Sequence, residues 1–196
     1  MQVVLDLDET LICAYETSSL PPIVRTQAVE AGLKCFQLEC VSFEKVNVKE
    51  NLKSVMIFER PGLQEFLKQI SKFADLVLFA ARLEVIFSFI LKSLVLPNSQ
   101  YREHVKDLSC LSKDLSRTVI VDNYPFSFLL QPLNGIPCVP FAAGLPNDEQ
   151  LMEVILPLLK QLSQQEDVRP VLYERFHMPE WFQKHGIPVS DWTSLG

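Results

Sequence analysis

The feature that most constrains the fold lies at the amino terminus, where an apolar run stops abruptly at two aspartates. Residues 2–5 read Gln-Val-Val-Leu, and Asp6, Asp8 and Thr10 follow at alternate positions. A short apolar run bounded by polar residues is typical of a strand that is buried on both faces of a parallel sheet. Open α/β sheets bind ligands at the carboxyl ends of their strands, and side chains two residues apart on a strand point the same way. The pattern therefore predicts an α/β fold in which Asp6 and Asp8 face a ligand-binding crevice.

The two carboxylates also predict chemistry. Carboxylates that converge on one spot repel each other unless a cation or a shared proton offsets the charge, so the spacing of Asp6 and Asp8 predicts a divalent metal. A surface turn rich in acidic residues is the alternative interpretation. The apolar strand before the motif and Thr10 behind it favour the metal-dependent site.

Composition and charge limit the partners. The chain has 196 residues, 48% of them hydrophobic, which is enough for one domain with its own core. Its net charge of −6 argues against direct nucleic-acid binding and is compatible with a phosphoprotein substrate. The five cysteines are odd in number and scattered, which predicts reduced core thiols rather than a disulfide framework. With no signal-peptide pattern, the expected location is nuclear or cytoplasmic, or organellar if a targeting segment precedes this sequence.

The longest apolar stretch, residues 76–96, does not have the composition of a membrane span. Arg82, Glu84 and Lys92 interrupt it, so it contains no run of about 18 uncharged apolar residues. The sequence therefore predicts no membrane insertion, and a buried strand followed by a helix is the better interpretation.

Further along, strand-like and helix-like segments alternate. Strands are predicted at residues 2–5, 34–43, 53–59, 76–80, 118–121 and 136–139, and helices at 63–73 and 147–162. Segments 34–43 and 53–59 are expected to pair as a small inserted sheet after a long loop through Pro21 and Pro22. The last helix is expected to be capped by Asn147 and kinked or shortened by Pro157. The domain is expected to span 1–165, followed by an irregular aromatic tail at 166–196.

Five blocks, in this order, carry a family resemblance. They are Asp-Leu-Asp-Glu-Thr-Leu (6–11), Arg-Pro-Gly-Leu (60–63), Val-Lys-Asp-Leu-Ser (105–109), Asp-Leu-Ser-Arg-Thr-Val-Ile-Val-Asp-Asn (114–123) and Leu-Leu-Gln-Pro-Leu-Asn-Gly-Ile-Pro (129–137). They resemble the C-terminal-domain (CTD) small phosphatases, the NLI-interacting-factor-like branch of the haloacid dehalogenase superfamily. The flanking sequence and the tail Arg-Pro-Val-Leu-Tyr-Glu-Arg-Phe-His-Met-Pro-Glu-Trp-Phe (169–182) look most like plant members of that group. The resemblance implies a Rossmannoid parallel sheet flanked by helices, with a small inserted β-sheet.

The resemblance also implies roles for individual residues. Asp6 would be the nucleophile that accepts the phosphoryl group, and Asp8 the general acid and base. Lys106 would offset the charge on the phosphoryl oxygens in the transition state. Thr10 would help to hold those oxygens or the loop around them, and Arg60 would contact substrate.

A Mg²⁺ cofactor follows from the same resemblance. It would be held by Asp6, by the backbone carbonyl of Asp8 and by Asn123, with Asp122 supporting this set of ligands. No metal role is expected for the three histidines, because their spacing does not suit a metal site.

Two departures from the family pattern predict impaired activity. The family has a phosphate-binding Thr or Ser where this chain has Ala80, and a missing oxyanion donor typically costs about 10² to 10³ in rate. The family also has a longer segment where this chain has the apolar stretch between Arg82 and Tyr101.

Two functional hypotheses therefore stand. The first is a monomeric, Mg²⁺-dependent protein serine/threonine phosphatase acting on a flexible phosphorylated segment such as the repeated tail of RNA polymerase II. The second is a non-catalytic peptide-binding domain, resembling the receptor subunit of the mitochondrial presequence translocase. The set of Asp6, Asp8, Lys106 and Asn123 favours the enzyme, whereas Ala80 and the altered segment between Arg82 and Tyr101 favour the binding domain.

Overall fold

The computed structural model describes residues 1–42, 51–79 and 104–187. In chain order its strands and α-helices are β1 (Gln2–Leu5), β2 (Ile12–Glu16), α1 (Pro22–Glu30), β3 (Cys35–Ser42), β4 (Asn51–Glu59), α2 (Leu63–Ile70), β5 (Asp75–Leu78), β6 (Thr118–Asp122), β7 (Gly135–Pro137), α3 (Leu156–Ser163), α4 (Arg169–Phe176) and α5 (Met178–Lys184).

The main sheet is parallel and places the first strand in its interior. Its described strands run in the order β5-β1-β6-β7, with Leu5 of β1 level with Leu78 of β5 and Val121 of β6. The three neighbouring strands therefore end at one edge, and the residues that follow β1 and β6, the predicted site residues among them, meet there. This topology confirms the predicted α/β class.

Alternating side chains of the main sheet belong to two hydrophobic clusters, one on each face of the sheet. Val3 and Leu5 of β1 pack with α2 and α3, whereas Val4 packs with Phe128 and Phe182 on the other face. Helix α2 follows Pro61-Gly62 as predicted and buries one stripe of side chains, Leu63, Phe66 and Ile70. The core therefore lies on both faces of the sheet.

The inserted sheet has three described strands rather than the predicted two. β3 and β4 pair antiparallel as expected, and β2 pairs with the other edge of β4. The segment predicted as a long loop through Pro21 and Pro22 holds helix α1. Pro22 occupies the first turn of α1, where its missing N–H removes no helical hydrogen bond.

Two other predicted elements differ in detail. β5 was expected to be buried, but it is one of the two edge strands of the main sheet among the described residues, and Leu78 is 55% exposed. The helix predicted from Asn147 starts as a π-helical turn, Gln150–Ile155, and continues as α3. Pro157 lies in the first turn of α3, because it has no N–H to continue an α-helix from the preceding turn. Asn147 does not cap it; the side chain of Asp148 instead accepts a hydrogen bond from the Gln150 N–H (3.1 Å).

The predicted irregularity of the carboxyl-terminal segment is wrong for residues 169–184, which form α4 and α5. Each of these short helices has a proline in its first turn. A proline in the sequence suggests that a helix is broken there, but the first turn of a helix tolerates it. Val168, Leu172 and Phe182 are buried against the main sheet and its loops. The boundary at 165/166 stays a prediction.

The cysteine prediction holds in part. Cys13 and Cys138 are buried free thiols, whereas Cys35 is half-buried and Cys110 is exposed, so Cys110 is not a core thiol. Among the described residues, none of the helices has the length and apolar character that crossing a membrane requires.

Candidate active site

The carboxyl edge of the main sheet brings two aspartates to one lysine. Asp6 follows β1 and Asp122 ends β6, and the Asp6 N–H donates to the Val121 carbonyl (3.0 Å). The Lys106 ammonium donates to Asp6 Oδ1 and to Asp122 Oδ2, the latter at 2.8 Å. Lys106 is 2% exposed and Asp122 1%. Three residues predicted from separate blocks therefore form one buried cluster.

The charges of this cluster do not balance. Two carboxylates face one ammonium, and Asp8 adds a further carboxylate to the same loop. Burial raises the pKa of Asp122, and the negative charge of Asp6 raises it further, while the nearby Lys106 ammonium lowers it. A bound cation or a proton on Asp122 would offset the repulsion between these carboxylates.

Asp8 lies in a different environment from Asp6. Its side chain is exposed, whereas Asp6 is buried. The chain turns sharply after it, because Glu9 has a left-handed backbone (φ 59°) and its N–H donates to the Ile12 carbonyl (2.7 Å). One aspartate of the motif is thus held by Lys106, and the side chain of the other is open to solvent.

Thr10 is buried and binds the loop after β6. Its hydroxyl accepts a hydrogen bond from the Asn123 N–H (3.1 Å) and donates to Asn123 Oδ1 (3.1 Å). The Asn123 amide nitrogen donates to Glu9 Oε2 (3.3 Å), which fixes the orientation of the amide group. Of the two roles expected for Thr10, these contacts support holding the loop.

Arg60 is buried (1% exposed), and its guanidinium forms hydrogen bonds with other groups of the protein. Its guanidinium forms a two-bond ion pair with Asp148, at 2.9 and 2.7 Å. The remaining N–H groups reach the Thr10 carbonyl (3.0 Å), the Val139 carbonyl (2.9 Å), Gln150 Oε1 (3.0 Å) and Cys138 Sγ (4.0 Å). This geometry gives no support to the expected substrate contact, and it makes Arg60 an anchor for the backbone at Thr10.

The residues present fit Mg²⁺ by their donor chemistry. Asp6, Asn123 and the Asp8 carbonyl offer only oxygen atoms, which this hard cation prefers. Among the described residues there is no group of three or more His, Cys, Asp or Glu side chains suited to a metal ion. The implied set does not require one, because it includes an amide and a backbone carbonyl.

Some site features were not predicted, and some predictions cannot be placed. Asp148 and Gln150, the partners of Arg60, were not predicted because they are 88 and 90 residues away in sequence and lie in no recognised motif. Gln131 lies in the block at 129–137, for which the resemblance implied no individual role. Ala80 and residues 82–101 lie outside the described residues.

Comparison with known proteins places the sequence among phosphatases. The model of the family described as NLI interacting factor-like phosphatase matches residues 1–169. The CTD nuclear envelope phosphatase 1B of Danio rerio is 32% identical over 188 residues, covering 89% of this chain and 72% of the relative. A mitochondrial import inner membrane translocase subunit TIM50 from Phytophthora infestans is 34% identical over 128 residues, covering 59% of this chain and 31% of the relative. The solved structure of Fcp1, an essential RNA polymerase II CTD phosphatase, has a TM-score of 0.48 at 18% identity, covering 91% of this chain and 53% of that one. The expected similarity to plant members stays a prediction.

Proposed function

Because the chain belongs to the NLI interacting factor-like phosphatase family, we propose that it is a Mg²⁺-dependent protein serine/threonine phosphatase that works through a phosphoaspartate at Asp6. The observation that carries the proposal is the buried cluster in which the Lys106 ammonium bridges Asp6 and Asp122, beside an exposed Asp8. A nucleophile held by a cation and an acid open to the leaving group are the two parts that such a transfer needs.

The proposed reaction has two steps. A carboxylate oxygen of Asp6 attacks the phosphorus of a phosphoserine or phosphothreonine, and the bond from phosphorus to the side-chain oxygen breaks while Asp8 protonates that oxygen. Asp8, now a carboxylate, takes a proton from a water molecule, which attacks the acyl phosphate, releases inorganic phosphate and restores Asp6. The Lys106 ammonium offsets the negative charge on the phosphoryl oxygens in both transition states.

The metal has a defined place in the proposal. Asp6, Asn123 and the backbone carbonyl of Asp8 would hold Mg²⁺, and Asp122 would support them. Bound Mg²⁺ supplies positive charge that polarises the phosphoryl group. Thr10 holds Asn123 in place for this role through its two hydrogen bonds with that residue.

The proposed substrate is a phosphorylated, flexible protein segment, such as the repeated tail of RNA polymerase II. A relative that is 32% identical to this chain is named a CTD nuclear envelope phosphatase, which supports a phosphorylated protein segment as the substrate. A nuclear or cytoplasmic location would suit that substrate. The net charge of −6 speaks against nucleic acid as the direct ligand. We expect the chain to act as a monomer.

The test is turnover of a small aryl phosphate and of a phosphoserine peptide by the full chain. We expect Mg²⁺-dependent release of phosphate that Asp6→Asn abolishes, because an amide cannot accept the phosphoryl group. Asp75→Asn is the matched control, since Asp75 is an exposed aspartate at the opposite end of the same sheet. Turnover that survives Asp6→Asn or excess chelator would contradict the mechanism.

The alternative of a peptide-binding domain draws on the TIM50 relative, which matches 59% of this chain. A binding domain has no need of a lysine buried between two carboxylates, so the cluster favours the enzyme. The two hypotheses differ in two readouts, peptide binding and phosphate release. A binder would take up unphosphorylated and phosphorylated peptide alike and release no phosphate in Mg²⁺.

A further inference from the structure

A glutamine outside the carboxylate cluster holds the segment that carries Lys106. Gln131 donates from Nε2 to Asp107 Oδ1 (2.9 Å), and its Oε1 accepts a hydrogen bond from the Leu108 N–H (3.1 Å). These two hydrogen bonds hold Asp107 and Leu108, the two residues directly after Lys106. On the other side, the Lys106 N–H donates to the Ser127 carbonyl (2.6 Å). The backbone around Lys106 is therefore fixed from both sides by residues 127–131.

The segment that carries Gln131 is itself held by hydrogen bonds. The Gln131 N–H donates to the Phe128 carbonyl (3.1 Å), and the Asn134 N–H donates to the Gln131 carbonyl (3.0 Å). The Asn134 amide donates to the Thr118 carbonyl (2.7 Å) at the start of β6, the strand that ends at Asp122. Gln131 and Asp122 therefore share one framework, so the position of Gln131 is fixed relative to the cluster.

Lys106 needs such support. It precedes a short 3₁₀ turn, Leu108–Cys110, and it reaches Asp6 and Asp122 from outside the main sheet. A side chain with four rotatable bonds holds its ammonium in one place only if its backbone is held. The block at 129–137 thereby gains a role that its resemblance alone did not assign.

We propose that Gln131 is a positioning residue for Lys106. It sets the backbone at Asp107 and Leu108 so that the ammonium stays between Asp6 and Asp122. The inference rests on the proposed function for its kinetic consequence, whereas its structural consequence is independent of activity. Displacing a catalytic group by about 1 Å can cost about 10²-fold, so Gln131→Ala is expected to lower kcat about 10- to 100-fold with little change in KM.

The first readout is chemical modification of lysines. Lys106 is 2% exposed, so acetic anhydride should acetylate it far more slowly than the exposed Lys72. Gln131→Ala should raise the ratio of Lys106 to Lys72 acetylation, measured by mass spectrometry on folded protein. The matched control is Gln69→Ala, because the Gln69 side chain also makes two hydrogen bonds, with Glu65 and Lys160, away from the cluster. An unchanged ratio in a folded Gln131→Ala protein would overturn the proposal.

The second readout is rescue, which covers the case in which Gln131→Ala fails to fold. Gln131→Glu replaces the donor with a carboxylate that faces the Asp107 carboxylate, so kcat should fall and Lys106 acetylation rise. Adding Asp107→Asn restores one donor and one acceptor to the pair. Because the Ser109 N–H also donates to Asp107 Oδ1 (2.9 Å), the double variant should recover part of both readouts rather than all of them. Asp107→Asn alone keeps an acceptor for Gln131 and should change little. A double variant no better than Gln131→Glu would overturn the proposal.

The two proposals can fail separately. Suppose that neither the native chain nor any variant releases phosphate, but Gln131→Ala raises the ratio of Lys106 to Lys72 acetylation. In that case the phosphatase proposal fails and the positioning role stands. If the native chain is an active phosphatase and both Gln131 readouts stay at native values, the positioning role fails alone.

Discussion

Removing the Arg60 guanidinium should destabilise the protein strongly. Arg60→Met keeps an unbranched apolar side chain in the buried space but removes every N–H donor. It leaves the Thr10 and Val139 carbonyls without their guanidinium partner, and it leaves the Asp148 carboxylate, whose side chain is 9% exposed, without its cation. The Gln150 N–H still donates to Asp148, so the loss is incomplete.

The magnitude follows from these orphaned groups. A buried acceptor without a partner costs about 1–3 kcal/mol, and breaking a buried ion pair by removing one partner costs about 3–5 kcal/mol. Because these costs overlap, the expected loss for Arg60→Met is about 3–5 kcal/mol in the free energy of unfolding. Arg60→Lys should recover only part of it, since an ammonium cannot reproduce the two-bond pair with Asp148.

The assay is urea unfolding of both variants beside a control on an exposed pair. Arg169 forms an ion pair with Asp167 at 2.8 Å, and both side chains are about a third exposed. Solvent screens such a pair, so Arg169→Met should cost under about 1 kcal/mol. A cost for Arg60→Met as small as that of Arg169→Met would refute the reasoning. So would a native stability with a raised KM, because that result would return Arg60 to substrate binding.

Three other predictions follow from single residues or their surroundings. Burial raises the pKa of the Cys138 thiol to about 11, so the unfolded chain loses this proton at a lower pH than the folded chain does. The free energy of unfolding should therefore fall between pH 9 and 11, and it should fall less steeply in Cys138→Ala. A Cβ at Gly135 would lie 2.1 Å from Phe128 Cδ2, so Gly135→Ala should lower the free energy of unfolding by about 1–3 kcal/mol. A Cβ at Gly144 would meet nothing within 4 Å, so Gly144→Ala should leave stability unchanged, and equal thermal shifts for the two variants would disprove the prediction. Ala80→Thr should raise kcat on aryl phosphate, by up to about 10-fold, by restoring the family's hydroxyl donor, and a rate no higher than native would remove Ala80 as a cause of weak activity.

The parts of the fold predictable from sequence are those set by local patterns. β1, β6 and α2 follow from apolar runs and from the Pro61-Gly62 start signal, and all three were predicted. Helices α4 and α5 were missed because prolines in their first turns resemble breakers, and their burial depends on contacts distant in sequence. Local propensity does not report such contacts.

The candidate site divides in the same way. The resemblance assigned Asp6, Asp122 and Lys106 one by one, and the parallel order of β1 and β6 explains how they meet. Arg60 was assigned to substrate because a lone arginine before Pro-Gly carries no sign of its distant partner Asp148. A buried network between residues 88 apart is visible only in the folded chain.

The central claim is that Asp6 carries the phosphoryl group. The most direct test is rapid acid quenching of the full chain during turnover of a phosphoserine peptide in Mg²⁺, followed by mass spectrometry of the amino-terminal peptide. We predict the added mass of one phosphoryl group, located at Asp6, removed by mild base as expected for an acyl phosphate, and absent in Asp6→Asn. Steady turnover with no phosphorylated aspartate, or with the label on another residue, would contradict the account.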